Sequence, residues 1–130
     1  MKLRISGNSI RLRLTKSDIA QFAAAGKVEE VVEFGLAKPA LSYRLDKTEE
    51  ADTVSASFED NCLKISIPAP DAEEWVKSER VGIESAQLIG DNNVLRILIE
   101  KDFACLEIRA GEDDFDTFKN PLAESKTEKC

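Results

Sequence analysis

The chain has 130 residues, 18 Lys plus Arg against 25 Asp plus Glu, and a formal net charge of −7. This length fits one domain, and 42% apolar residues supply a core. Histidine is absent, which removes the usual general base near neutral pH, the commonest metal ligand, and the partner of Ser-His or Cys-His nucleophiles. The three cysteines, Cys62, Cys105 and Cys130, form neither a disulfide framework nor a paired-cysteine zinc site.

The first fourteen residues predict a hairpin. Leu3 and Ile5, then Ile10, Leu12 and Leu14, alternate with polar residues around Ser6-Gly7-Asn8-Ser9. Thr15 is placed to cap a helix of about ten residues, with Asp18 at its third position, Ile19, Phe22 and Ala23 at helical spacing, and Gly26 as the stop. Val28, Val32 and Phe34 define a strand, and after Gly35 and Pro39 the set Leu41, Tyr43 and Leu45 defines another.

Beyond the polar stretch Asp46 to Asp52, Val54, Ala56 and Phe58 turn through Glu59-Asp60-Asn61 into Leu63, Ile65 and Ile67. Pro70 suits the first turn of a second helix whose early carboxylates, Asp71, Glu73 and Glu74, favour the positive end of its dipole. Trp75 and Val76 dock it. A third hairpin runs from Ile83 through Gly90-Asp91-Asn92-Asn93 to Leu95, Ile97 and Ile99, with Arg96 and Glu100 on its other face. Phe103, Cys105, Leu106 and Ile108 define a last strand, and the acidic end loses all periodicity. No repeat stands out at a fixed period.

The expected fold is α+β, mainly β: an antiparallel meander of about eight strands, barrel-like or two-layered, with two short helices. Residues 1–110 are expected to form one globular domain and residues 111–130 an acidic, mobile tail. No apolar run reaches the roughly 18 residues of a membrane helix, and Met1 to Ile5 lack the form of a secretion signal. The expected address is therefore the cytoplasm, with no membrane partner.

Charge is unevenly spread. Residues 1–17 hold Lys2, Arg4, Arg11, Arg13 and Lys16 and no acid. Period-two geometry puts Lys2, Arg4, Arg11 and Arg13 together on the polar face of the first hairpin, a candidate anion-binding site. Either carboxylates such as Glu29 and Glu33, or Glu84 and Glu100, neutralise this face, or Arg forks on it hold phosphate or carboxylate groups from an anionic small molecule or acidic partner. Duplex nucleic acid does not suit a chain of this acidity.

No cofactor is implied, and the run Glu112, Asp113, Asp114 and Asp116 lacks the spacing and glycine of a calcium loop. Cys105 has the apolar neighbours of a structural thiol, and Cys62 is read the same way. Tyr43 and Trp75 are lone aromatics and read as packing residues.

Taken together, residues Met1 to Leu14 and the segment Ile99-Glu100-Lys101-Asp102-Phe103-Ala104-Cys105-Leu106 resemble an uncharacterised bacterial protein family over nearly the whole chain. That resemblance implies a stand-alone small protein and carries over no activity to it. The strand count and charged faces are also similar to the triphosphate-tunnel (CYTH-type) phosphatases. The expected function is a small binding or interaction domain without catalysis; the alternative, in keeping with this likeness, is a metal-dependent phosphohydrolase acting on a polyphosphate-like substrate, with the arginines clamping phosphate and Glu29, Glu33 or Glu100 binding magnesium. The opening strands depart from that family's acidic metal-binding strand, because they carry Lys2, Arg4, Arg11 and Arg13.

Overall fold

Three tight turns begin the fold. Gly7 takes φ 56°, while the pairs Asp60-Asn61 (52°, 61°) and Asp91-Asn92 (51°, 62°) both enter the left-handed region, as type I′ hairpin turns demand. The computed structural model describes residues 1–102. They form β1 (Lys2–Ser6), β2 (Ser9–Leu14), α1 (Lys16–Ala25), β3 (Lys27–Val32), β4 (Leu41–Thr48), β5 (Ser55–Glu59), β6 (Cys62–Pro68), α2 (Ala69–Lys77), β7 (Gly82–Gly90) and β8 (Asn93–Lys101). The strand expected at Phe103 to Ile108, the acidic end, Cys105 and Cys130 lie outside the described residues.

Both helices start where local chemistry places them. At α1 the Thr15 hydroxyl accepts the Asp18 N–H and the Asp18 carboxylate accepts the Thr15 N–H, a complete capping box, and Gly26 closes the helix at φ 80°. At α2 Pro70 sits in the first turn, and Asp71 lies there to complement the dipole.

The eight strands make two four-stranded sheets. The first has the order β1-β2-β8-β7 and the second β3-β4-β6-β5. Each hairpin is antiparallel, but the hairpins join through parallel central pairs, β2 with β8 and β4 with β6. The molecule is therefore two-layered with mixed sheets, instead of a single antiparallel meander or a closed barrel. Short turns enforce antiparallel pairing only inside a hairpin. Pairing between strands distant in the chain is free to be parallel.

The two halves of the described chain have the same architecture. A shift of 53 positions carries β1, β2 and α1 onto β5, β6 and α2, so that the pair Lys2↔Arg13 maps onto Ser55↔Ser66 and Arg4↔Arg11 onto Ser57↔Lys64. The parallel register repeats too: Ser9↔Arg96 and Arg13↔Glu100 become Cys62↔Ser42 and Ser66↔Asp46. This corrects the reading that no repeat is present. The halves agree in chemical class more than in identity, with Ile10, Leu12 and Leu14 answering to Leu63, Ile65 and Ile67, and Phe22 to Trp75.

Packing follows the repeat. Leu12 and Leu14 of one half and Ile65 and Ile67 of the other are fully buried, together with Leu45, Ile97 and Ile99. The helices follow β2 and β6, so they close one end of the space between the sheets and leave all four hairpin loops at the other. Phe22 and Trp75 meet edge to face, ring centroids 6.2 Å apart, where the helices touch. Trp75 also donates its ring N–H to the Val81 carbonyl at 3.1 Å. β3 ends sooner than periodicity implies, and Phe34 lies beyond it, 65% exposed.

Side chains bridge the sheet edges. On one side the Gln87 amide accepts from the Ala56 N–H (2.7 Å) and donates to the Ala56 carbonyl (3.1 Å), standing in for a strand. On the other, the Met1 ammonium pairs with Asp18 (2.8 Å) and Glu30 (3.1 Å), and the Tyr43 hydroxyl donates to the Met1 carbonyl.

Burial opposes charge at both Met1 and Asp18, yet hydrogen bonds and mutual attraction outweigh it. They hold the Met1 ammonium pKa above its ordinary value and the Asp18 carboxyl below its own. The raised ammonium stabilises most fully below about pH 8 and loses its effect as pH climbs through its folded value. The lowered carboxyl stabilises above about pH 4 and loses its effect as pH falls through its folded value. In a chain that begins at Met1, Asp18→Ala is thus expected to cost about 1 kcal/mol at pH 7 and to flatten the stability profile at both flanks. Urea unfolding across a pH series measures this, and an unchanged profile contradicts it.

Candidate functional site

Because side chains alternate along each strand, residues paired across the first sheet share a face in rows. On its outer face the rows are Lys2–Arg13–Glu100–Gly82, then Arg4–Arg11–Leu98–Glu84, then Ser6–Ser9–Arg96–Ala86. All four candidate basic residues of the first hairpin, Lys2, Arg4, Arg11 and Arg13, therefore stand side by side. Ile10, Leu12 and Leu14 point the opposite way, into the core.

Neutralisation of this face is partial. Glu100 is shared by Arg13 (3.0 Å) and Arg11 (3.3 Å), and Lys2 reaches Asp102 at 3.4 Å. Neither Arg4 nor Arg96 has a carboxylate within ion-pair distance among the described residues, although Arg4 lies directly across from Arg11, where like charges repel. Glu84 shares the face and makes no ion pair among the described residues. Glu29 belongs to the second sheet, opposite Arg44, and Glu33 follows the end of β3, so neither serves the first hairpin.

A cleft of about 600 Å³ opens on this face, lined by Arg4, Arg11 and Arg96 with Ser6, Ser9 and Glu84. Three guanidinium groups and the Ser6 hydroxyl line it, a donor set fit for phosphate or carboxylate oxygens, while Ser9 donates its hydroxyl to the Ser6 carbonyl at 2.7 Å. Arg96 and the serines are additions to the candidate set. Arg96 shows in the sequence only as a polar-face residue of β8, and nothing local says that β8 lies beside β2.

The second sheet provides an internal comparison. By the repeat, its outer-face residues Ser57, Ser66 and Ser42 correspond to Arg4, Arg13 and Arg96. That face carries three basic residues, Lys27, Arg44 and Lys64, and three acids, Glu29, Asp46 and Glu59, with Arg44 forked onto the two Asp46 oxygens at 2.9 and 3.1 Å. The first sheet carries five basic residues against Glu84 and Glu100. The same strand arrangement thus occurs in the second sheet with serine at the positions of Arg4, Arg13 and Arg96.

A second cleft, about 260 Å³, lies between the sheets at the loop end and is apolar, lined by Leu3, Ile5, Leu41, Phe58, Leu63 and Leu95. No group of three metal-binding side chains is assembled among the described residues, and Glu29, Glu33 and Glu100 do not converge. Cys62 is half-buried on the outer face of the second sheet, next to Ser42. Among the described residues no helix is long and apolar enough to cross a membrane.

No curated protein and no solved structure matches the chain, and nothing in the comparisons supports a likeness to the triphosphate-tunnel phosphatases. One family model, described as a family of unknown function (DUF7009), does match, over residues 1–122. The match takes in both sheets and both helices, and the chain belongs to that family.

Proposed function

We propose that this protein is a binding module whose outer first-sheet face takes an anionic group, phosphate or carboxylate, from a small molecule or an acidic partner. The observation that carries this reading is the pair of arginines, Arg4 and Arg96, that flank Arg11 over the cleft with no carboxylate partner among the described residues. Like charges on adjacent strands cost stability, and an arrangement that retains them where its own duplicate has serine points to a ligand. Arg11 and Arg13 are already engaged by Glu100, so Arg4 and Arg96 are the residues to test.

The test is thermal unfolding of the full chain with phosphate, pyrophosphate or sulfate, for the wild type and for Arg4→Ser/Arg96→Ser, which copies the second sheet. An anion that binds the native state at a hundred times its Kd stabilises by about 2.7 kcal/mol, or several degrees in Tm. The wild type is expected to show that rise and the variant to lose it, with its ligand-free Tm unchanged or slightly higher. Absence of a rise with any of the three anions overturns the reading.

A further inference from the structure

Glu84 is the acid that lines the basic cleft, and its surroundings differ from those of its counterpart in the repeat. On the outer face it has Gly82 and Ala86 beside it along β7 and Leu98 directly across on β8. On its diagonals lie Glu100, which Arg11 and Arg13 already engage, and Arg96, which makes no ion pair with it. Glu84 is exposed and Leu98 half-buried, so a carboxylate borders an apolar floor. The repeat carries the row Arg4–Arg11–Leu98–Glu84 onto Ser57–Lys64–Arg44–Glu29, and Gly82 onto Lys27. Glu29 therefore has a guanidinium across from it and a lysine beside it in sequence register. Glu84 has leucine and glycine in those places. The second sheet supplies its acid with cations from the chain itself, whereas the first holds its guanidinium groups at one end of the cleft and Glu84 at the other, with Leu98 between.

We infer that the ligand of this cleft is a small zwitterion: its phosphate or carboxylate lies against Arg4, Arg11 and Arg96, a protonated amine lies against Glu84, and the carbon chain that joins them lies over Leu98. The inference rests on the reading of this face as anion-binding, and it adds the class of ligand. Strand spacing sets the scale. Arg11 and Glu84 stand two strands apart, about 10 Å between backbones, and their side chains reach over the face, so a short carbon chain separates the two charges of the ligand. A cleft of about 600 Å³ has room for such a molecule. Complementary charge at both ends fixes its direction, and Glu84 repels a second anionic group placed at the amine's end.

The experiment is calorimetric titration of the full chain at about 20 mM salt, where surface charge pairs are least screened. Aminobutyl phosphate is compared with butyl phosphate, and aminohexanoate with hexanoate, each amine at the end of its chain opposite the anion. The proteins are the wild type, Glu84→Gln, and Glu59→Gln, which removes an exposed acid from the second sheet. In the wild type the amine-bearing member of a pair is expected to bind about three- to ten-fold tighter. In Glu84→Gln that ratio falls to about one, and in Glu59→Gln it stays as in the wild type, which isolates the contact between amine and Glu84. A preference within the phosphate pair alone, or within the carboxylate pair alone, sustains the inference and identifies the anionic group.

Equal affinities within both pairs in the wild type overturn the inference, and if Arg4→Ser/Arg96→Ser then removes that binding, the anion-binding reading survives it. A preference that persists in Glu84→Gln, or that Glu59→Gln also removes, overturns it as well, because the amine then sits elsewhere or answers only to net charge. Absence of binding by all four compounds overturns it too, and the inorganic anions then decide the anion-binding reading separately.

Discussion

Trp75→Ala is expected to lower the unfolding free energy by about 3–5 kcal/mol, the largest effect of any single truncation in this protein. Trp75 has no exposed surface, packs edge to face on Phe22, lies under Lys101 with the ammonium 5.9 Å from its ring, and donates to the Val81 carbonyl. Truncation opens a cavity where the two helices meet the two sheets, and no neighbouring element is free to collapse into it. Trp75→Phe keeps a ring against Phe22 while removing the N–H, so its cost should be clearly smaller. Urea unfolding read by circular dichroism distinguishes the cases, and a loss below about 1 kcal/mol for Trp75→Ala would show that the helix contact does not hold the layers together.

Leu12→Ala and Ile65→Ala are expected to cost about 2–5 kcal/mol each, and similar amounts. The two residues are counterparts in the repeat, central in β2 and β6, and both fully buried. Each faces the core from the middle strands of its sheet, where the flanking strands limit relaxation. Matched losses in denaturant titrations are the expected result. A difference beyond about 2 kcal/mol would mean that the halves, alike in register, carry unequal shares of the core. A wild-type-like midpoint for either variant would contradict the complete burial of that side chain.

The duplication bears on function as well as stability. When one arrangement occurs twice in a chain, whatever the fold demands should appear in both copies. The buried positions obey this: Phe22 answers to Trp75, Leu14 to Ile67, Ile10 to Leu63. The outer faces do not, since Arg4, Arg13 and Arg96 answer to Ser57, Ser66 and Ser42. This asymmetry on a repeated scaffold supports the proposal that the first-sheet face serves an anionic ligand.

Much of the local structure is legible from neighbouring residues. Thr15 and Asp18 announce the first helix because a capping box needs only residues three apart, and Asp60-Asn61 and Asp91-Asn92 announce hairpins because their side chains tolerate left-handed backbone. The grouping of Lys2, Arg4, Arg11 and Arg13 is equally local, since alternation and one tight turn suffice. The third strand is less legible: Val28, Val32 and Phe34 continue an apolar period, but only Val28 is covered by the opposing layer.

Contacts within about a dozen residues are enough to set the hairpins, the capping box of α1, the proline start of α2 and the basic face of the first hairpin, so all of these could be read from the chain alone. That β2 lies parallel to β8 and β4 to β6 follows from how the distant segments pack, not from any local pattern. The same packing set Arg96 opposite Ser9, on one cleft with Arg4 and Arg11, and paired Glu100 with Arg11 and Arg13 while leaving Arg4 without a carboxylate among the described residues. Those pairings join segments far apart in the chain, and they are selected by how two apolar sheet faces and two helices fill one core, a collective condition that no local pattern encodes.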